Sequence, residues 1–233
     1  MKGRRRLYFS FRSPYSWLTV ERLRRDVEDL FGSFECVPYW DPDPDLDADL
    51  HARGAELPYT QMSKAKHLYV LGDTKRAATR LGLSIHWPVD IDCRWELPHL
   101  AFLLARQEGA EERLYDALVE ARWGRGEDIC RPGIVRKAAL SVGLDGEAMA
   151  NAADDDSLRK QGLECLVQAY EDDIFGVPYV LIGRERFWGL DRAELVLERL
   201  AAPETESRHR RATTAVAAVA GAAYDNDTAG GCG

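Results

Sequence analysis

Residues 11–18, Phe11-Arg12-Ser13-Pro14-Tyr15-Ser16-Trp17-Leu18, decide how this chain folds. Ahead of them runs Leu7-Tyr8-Phe9-Ser10-Phe11, apolar or aromatic except for one serine, which predicts a short buried strand. Behind them Trp17, Leu18, Val20, Leu23, Val27 and Leu30 recur at helical spacing on a charged background, so a helix should run to about Phe31-Gly32. Ser13-Pro14 marks where strand becomes helix. A serine hydroxyl accepts from the first free amides of a helix, and proline at the first helical position lacks the N–H that would go unpaired.

Working outward, Phe34 to Trp40 predicts a second strand, giving a β-α-β unit whose two strands are parallel. The aspartate-proline stretch from Asp41 to Asp49 lacks the glycine that a calcium loop needs at its sharp turn, and predicts a solvated linker leaving the sheet. From about 59 to 173 the texture is helical, with helices expected near 60–82, 96–108, 110–122, 132–143, 145–152 and 157–173. Strand signals return at Phe175 to Ile182 and at Arg186-Phe187-Trp188, followed by an amphipathic helix carrying Leu195, Val196 and Leu200. Pro178 cannot donate to a sheet ladder, so it belongs at its strand's start, and the Val177-Pro178 bond is a candidate cis peptide. After Pro203 the composition collapses to Glu, Thr, Ser, Arg, Ala and Gly, which predicts a disordered tail over 203–233.

The 233-residue chain carries a formal net charge of −8, 45% hydrophobic residues and 9% aromatics, enough for a real core. No apolar run reaches the length of a membrane span, and the N-terminal one is too short for a signal peptide, so no membrane partner and a cytoplasmic setting are expected. The acidic balance outweighs Arg4, Arg5 and Arg6 and disfavours a nucleic-acid partner. Cys36, Cys93, Cys130, Cys165 and Cys232 are far apart, odd in number and contain no C-x-x-C pair. They read as reduced thiols filling a core, and with no metal-ligand spacing among the histidines no metal is expected.

A β-α-β unit at one end and a β-β-α unit at the other, split by a helical insert, close into one four-stranded sheet of the thioredoxin type. The expected fold class is therefore α/β, with residues 1–41 and 174–202 forming the sheet domain and 42–173 an all-helical insertion. In that arrangement the N-terminus of the first helix faces a cis-proline loop across a groove. Oxidoreductases of this fold start that helix with C-x-x-C. Here Ser13-Pro14-Tyr15-Ser16 puts hydroxyls where both thiols would be.

The segments SPYSWL (13–18), WGRGEDI (123–129), FGVP (175–178) and FWGLDR (187–192) resemble those of the kappa-class glutathione transferases and the 2-hydroxychromene-2-carboxylate isomerases, DsbA-related proteins, over about residues 5–202. The resemblance implies a homodimer that uses glutathione or another low-molecular-weight thiol. It also implies that Ser13 is the catalytic residue beside the thiol sulfur and that Val177 and Pro178 offer backbone to the cysteinyl part. Leu190 and Asp191 would hold the γ-glutamyl end, with an ordinary helix-start carboxylate the alternative for Asp191, and Tyr15 would border the acceptor pocket, with a packed aromatic the alternative. The family's usual asparagine after the second strand has no counterpart before Asn151, and the resemblance leaves Thr60 or Gln61 to stand in. Lys64 or Lys66 would meet a glutathione carboxylate, with a solvated helix charge the alternative for each, and the family's common first-strand acid is Ser10 here. Trp40, Trp87, Trp123 and Trp188 are candidates for an apolar pocket wall, with core packing the alternative for each.

A serine hydroxyl can donate to a thiolate but cannot form a disulfide, so such a site activates a borrowed thiol. That hydrogen bond is worth roughly 1.5–3 kcal/mol and the helix N-terminus roughly 0.3–1 more. At about 1.4 kcal/mol per unit, a thiol near 8.5 falls to about 6 or 7. The expected activity is isomerisation of a conjugated aromatic carbonyl or hydroxychromene-type compound, from aromatic breakdown or secondary-metabolite biosynthesis. The alternatives are a kappa-like transferase and an inactive thiol- or partner-binding module.

Overall fold

A computed structural model describes residues 5–58 and 62–202. The expected tail over 203–233, and Thr60 and Gln61, lie outside the described residues. The chain starts with β1 (Arg5–Phe9) and turns at Ser10–Ser13 into α1 (Pro14–Arg24). A short helix α2 (Leu30–Ser33) leads into β2 (Glu35–Pro38). Then come α3 (Pro44–Ala52), α4 (Lys64–Arg80), α5 (Glu96–Gln107) and α6 (Glu111–Val119). Helix α6 widens into a π turn at Glu120–Gly124. After it follow α7 (Pro132–Ser141), α8 (Gly146–Ala150) and α9 (Asp156–Glu171). The chain returns to the sheet as β3 (Tyr179–Ile182) and β4 (Glu185–Trp188), then closes through a 3-10 turn at Leu190–Arg192 into α10 (Ala193–Ala201). No helix among the described residues is long and apolar enough to cross a membrane.

The sheet order is β2-β1-β3-β4, with β1 parallel to β2 and antiparallel to β3. This is the predicted four-stranded thioredoxin-like sheet with helices inserted between its second and third strands. Its pleat sorts side chains by period two. Leu7, Phe9, Cys36, Val180 and Ile182 enter the large core, whereas Tyr8, Val37, Tyr179 and Leu181 face Ala169 and Ile174 on the other side. The helical insert shares that large core. Phe9 meets Phe102 of α5 edge-to-face at 5.0 Å and Tyr115 of α6 at 5.5 Å, and Phe11 meets the same two rings.

Three expectations need correction. Residues 41–49 are no solvated linker. Asp43 caps Leu46 N at 2.9 Å, Pro44 takes the first helical position, and Leu46 and Leu50 are buried, so α3 starts here. The first helix ends at Arg24 rather than near Phe31, because Asp29 takes the Gly32 amide at 2.9 Å and starts a new turn. The paired strand after the insert begins only at Tyr179. Residues 175–178 form its approach, and the Val177-Pro178 peptide is cis, as the sequence predicts.

Asp43 also holds α9 in place through a two-pronged pair with Arg159 at 2.8 and 2.9 Å. Asp43→Ala should therefore lose both a cap and a half-buried ion pair, about 2 kcal/mol together. Asp43→Asn keeps the cap and should recover about half of that. Urea denaturation midpoints of the three proteins check the order; an unchanged midpoint for Asp43→Ala would contradict it.

Candidate functional site

The turn between β1 and α1 is built almost entirely from serine hydroxyls and one imidazole. Ser13 sits at the N-cap of α1 with extended backbone (φ −88°, ψ 115°), and its hydroxyl accepts the Ser16 amide at 3.1 Å. An oxygen used as acceptor keeps its own proton for donation, and Ser13 is half-exposed. Ser16 does the opposite job. It is fully buried and its Oγ accepts the Ser10 amide at 3.2 Å, tying helix back to strand. Of the two hydroxyls in the C-x-x-C positions, one faces outward and one is a brace.

His99, on α5, completes the turn. It is fully buried, with Nδ1 2.6 Å from the Trp95 carbonyl and Nε2 3.1 Å from the Phe11 amide and 3.3 Å from Ser10 Oγ. An amide can only donate, so Nε2 must accept and Nδ1–H must donate to Trp95. Burial, aided by the positive charge of Arg122, pushes the imidazole down to about 3, which keeps it neutral and accepting. The Trp40 ring lies stacked on it at 5.0 Å. Nothing in the spacing of residue 99 pointed to this role; it is a histidine on an apolar helix face.

The second half of the site is the cis-proline loop. Tyr8 pairs with Tyr179 in the antiparallel ladder, so the end of β1 that runs into Ser13 lies at the same end of the sheet as the Val177-Pro178 bend. Val177 is half-buried and precedes the paired strand, so its peptide groups stand outside the ladder. The Pro178 carbonyl accepts the Gly189 amide at 3.0 Å, which holds Leu190 and Asp191 beside the bend. Gly189 has φ 97° and ψ 157°, backbone essentially reserved for glycine, and a Cβ there would stand 2.7 Å from Asp191 Oδ1. The Leu190–Arg192 turn in turn packs on α1. Asp191 is exposed and paired with Arg192 at 2.6 Å.

The structure thus brings Ser13, Val177, Pro178, Leu190 and Asp191 to one end of the sheet. Tyr15 points elsewhere: its hydroxyl donates to Asp73 of α4 at 2.8 Å and is held protonated by burial and that carboxylate. Thr60 lies outside the described residues. Trp40 and Trp123 are buried, and Trp123 stacks on Trp17 of α1 at 5.9 Å with Trp87 edge-on at 5.5 Å. Trp188 differs. With Phe175, half exposed and 4.8 Å away, it forms an aromatic corner at the approach to the cis-proline. Arg12 is a further residue that the sequence did not single out. Its exposed guanidinium lies next to Ser13 in the chain and pairs with Asp41 at 2.6 Å. Two depressions of about 480 and 570 Å³, one beside His51 and Tyr170 and the other beside Trp17 and Glu120, are lined by none of Ser13, Val177, Pro178, Leu190 and Asp191.

A family model described as a DSBA-like thioredoxin domain matches residues 6–201. The chain is 27% identical over 190 residues to a 2-hydroxychromene-2-carboxylate isomerase of Sphingobium xenophagum, covering 81% of this chain and 93% of that one. It is 25% identical over 187 residues to the protein of the same name from Pseudomonas putida, covering 79% and 88%. A solved 2-hydroxychromene-2-carboxylate isomerase superposes with TM-score 0.63 at 23% identity, over 88% of this chain and 97% of that one. A probable DsbA oxidoreductase from Streptomyces coelicolor gives 0.64 at 16% identity, over 91% and 92%.

The depressed imidazole makes a prediction. His99 is neutral in the fold but protonates near pH 6.5 once unfolded, so its contribution is complete above that pH and is lost as the pH falls toward 3. Each unit below 6.5 costs about 1.4 kcal/mol, or about 2 kcal/mol between pH 7 and pH 5. The stability gap between wild type and His99→Gln should shrink by that amount over this interval, read by urea unfolding at both pH values. A gap equal at pH 7 and pH 5 would show that the imidazole is not held neutral.

Proposed function

This chain belongs to the DSBA-like thioredoxin domain family, and within it we propose an isomerase that uses glutathione or a similar small thiol on a conjugated aromatic carbonyl compound of the hydroxychromene class. The observation that carries the reading is Ser13. Its hydroxyl stands at the first turn of α1 with its oxygen committed to the Ser16 amide, which leaves O–H as the group turned outward. The identity to two proteins named 2-hydroxychromene-2-carboxylate isomerase, at 25–27%, supports the reaction class.

The residues at this end of the sheet suit a small thiol. Ser13 donates to a sulfur, the Val177 peptide pairs with an extended backbone as a sheet edge does, and Asp191 accepts from an ammonium. A bound thiol supplies a reversible nucleophile, able to add to a conjugated double bond, free it for rotation and leave again. Ser13 lowers the cost of negative charge on sulfur, both on entry and on departure. The N-terminus of α1, with no acidic residue in its first turn, adds its positive dipole end. Ser16 and His99 keep the turn from shifting, so this stabilisation is prepaid rather than assembled on binding. Phe175 and Trp188 offer flat apolar faces to an aromatic acceptor. With serine at both 13 and 16 there is no dithiol here for disulfide exchange. The reading includes a cytoplasmic homodimer.

Titration with glutathione at neutral pH should raise ultraviolet thiolate absorbance for wild type. In Ser13→Ala the bound thiol should titrate one to two units higher, following a loss of roughly 1.5–3 kcal/mol. With a hydroxychromene carboxylic acid as substrate, thiol should be regenerated each turnover, and kcat/KM should fall by about 10- to 100-fold in Ser13→Ala. Ser13→Thr, which keeps the hydroxyl, should retain most activity. Thiol consumed in proportion to product would make the protein a transferase; turnover without thiol would remove the proposal.

A further inference from the structure

Away from this site, two cysteines that are 37 positions apart meet. Cys93 Sγ, Cys130 Sγ and an Asp128 carboxylate oxygen all lie within 4.8 Å of one another. Cys93 comes from the segment between α4 and α5, and Asp128 and Cys130 from the segment between the π turn and α7. Asp128 Oδ1 stands 3.8 Å from Cys93 Sγ and accepts the Cys130 amide at 3.0 Å, while Oδ2 accepts Arg131 Nε at 2.9 Å. Cys130 is buried, and Cys93 and the Asp128 carboxylate are half-buried. The chain reverses just ahead of Cys93 through Asp92, in the left-handed region at φ 49°.

We propose that Cys93, Asp128 and Cys130 form a site for a soft divalent cation of the zinc class. Two thiolates and a carboxylate are donors that zinc prefers, and tetrahedral bonds of about 2.3 Å to sulfur and 2.1 Å to oxygen require donors about 3.6 Å apart. The separation found between Cys93 and Asp128 is 3.8 Å. On binding, each thiol gives its proton to solvent and its sulfur lone pair to the metal. Two thiolates, one carboxylate and a doubly charged cation leave one negative charge, which Arg131 neutralises where it already pairs with Asp128. The fourth tetrahedral position falls to solvent. The metal would clip the segment that carries Trp87 to the start of α7.

The rival use of such a pair is a disulfide. A disulfide joins two sulfurs alone, whereas here a carboxylate oxygen converges with them, Asp128 Oδ1 standing 3.8 Å from Cys93 Sγ.

Full-length protein, reduced and freed of metal by a chelator, is titrated with cobalt(II) and then zinc. The site predicts one cobalt per chain with thiolate charge-transfer absorbance in the near ultraviolet, displaced by one equivalent of zinc. Cys93→Ser and Cys130→Ser should each abolish that absorbance and weaken zinc binding by more than about tenfold, the scale set by loss of even an outer partner. Cys165→Ser, at a half-buried thiol elsewhere, should leave both unchanged. If a variant fails to fold, a zinc-dependent rise in wild-type Tm that vanishes in Asp128→Asn supports the site. No cobalt–thiolate absorbance in wild type overturns it. So does absorbance retained in both folded cysteine variants, or a Cys93–Cys130 disulfide formed with glutathione disulfide in a protein that takes up no metal when reduced.

Discussion

The Phe11 amide donates to a neutral imidazole at 3.1 Å, and that bond decides where Ser13 stands. The residues leaving β1 have to turn sharply into a helix inside the protein, where each unpaired backbone group costs about 1–3 kcal/mol. The sheet does not pair them, because the β1 ladders end at Phe9 opposite Pro38 of β2 and at Tyr8 opposite Tyr179 of β3. The chain meets the need with Ser16 for the Ser10 amide, Ser10 Oγ for the Arg12 amide and His99 for Phe11. His99 arrives from a helix 88 positions downstream, so the helical insert is part of the turn's construction.

That dependence explains the shared core. Phe9 and Phe11 bracket the turn and pack against Phe102 and Tyr115, both in the insert. Glu96, at the start of the helix that carries His99, gathers the Trp40 indole at 3.2 Å and the Asp43 amide at 2.6 Å. The exit from β2 and the entry to α3 are thereby fixed to the element that fixes the turn. A rigid first turn matters for any chemistry that asks a single hydroxyl to meet a charged atom, since the gain depends on geometry already in place before the charge appears.

Much of this was written in short-range patterns. Ser13-Pro14 behind an aromatic run gives the strand-to-helix switch, and Val177-Pro178 ahead of an apolar run gives the cis bend; both lie where the residues say. The Asp41–Asp49 stretch misled because its alternating aspartates read as solvated, although the same Asp43-Pro44 pair is an N-cap and first helical position like Ser13-Pro14. The charged face is real. Leu46 and Leu50, four apart, are the apolar pair that anchors it, too sparse a signal against five aspartates.

The sequence alone determined which local conformations were available: where strands must start, which hydroxyls stand at a helix start, which peptide bends, and the absence of a dithiol at positions 13 and 16. Those follow from properties of adjacent residues, sterics and hydrogen-bonding groups within a turn of chain. Only the tertiary structure decided that His99 rather than a neighbour holds the turn, that Ser16 faces in while Ser13 faces out, that Tyr15 is spent on Asp73, and that Cys93 meets Cys130. Each of those depends on the direction a side chain takes once distant elements pack. Such directions are set by the filling of a shared core, which no local pattern encodes.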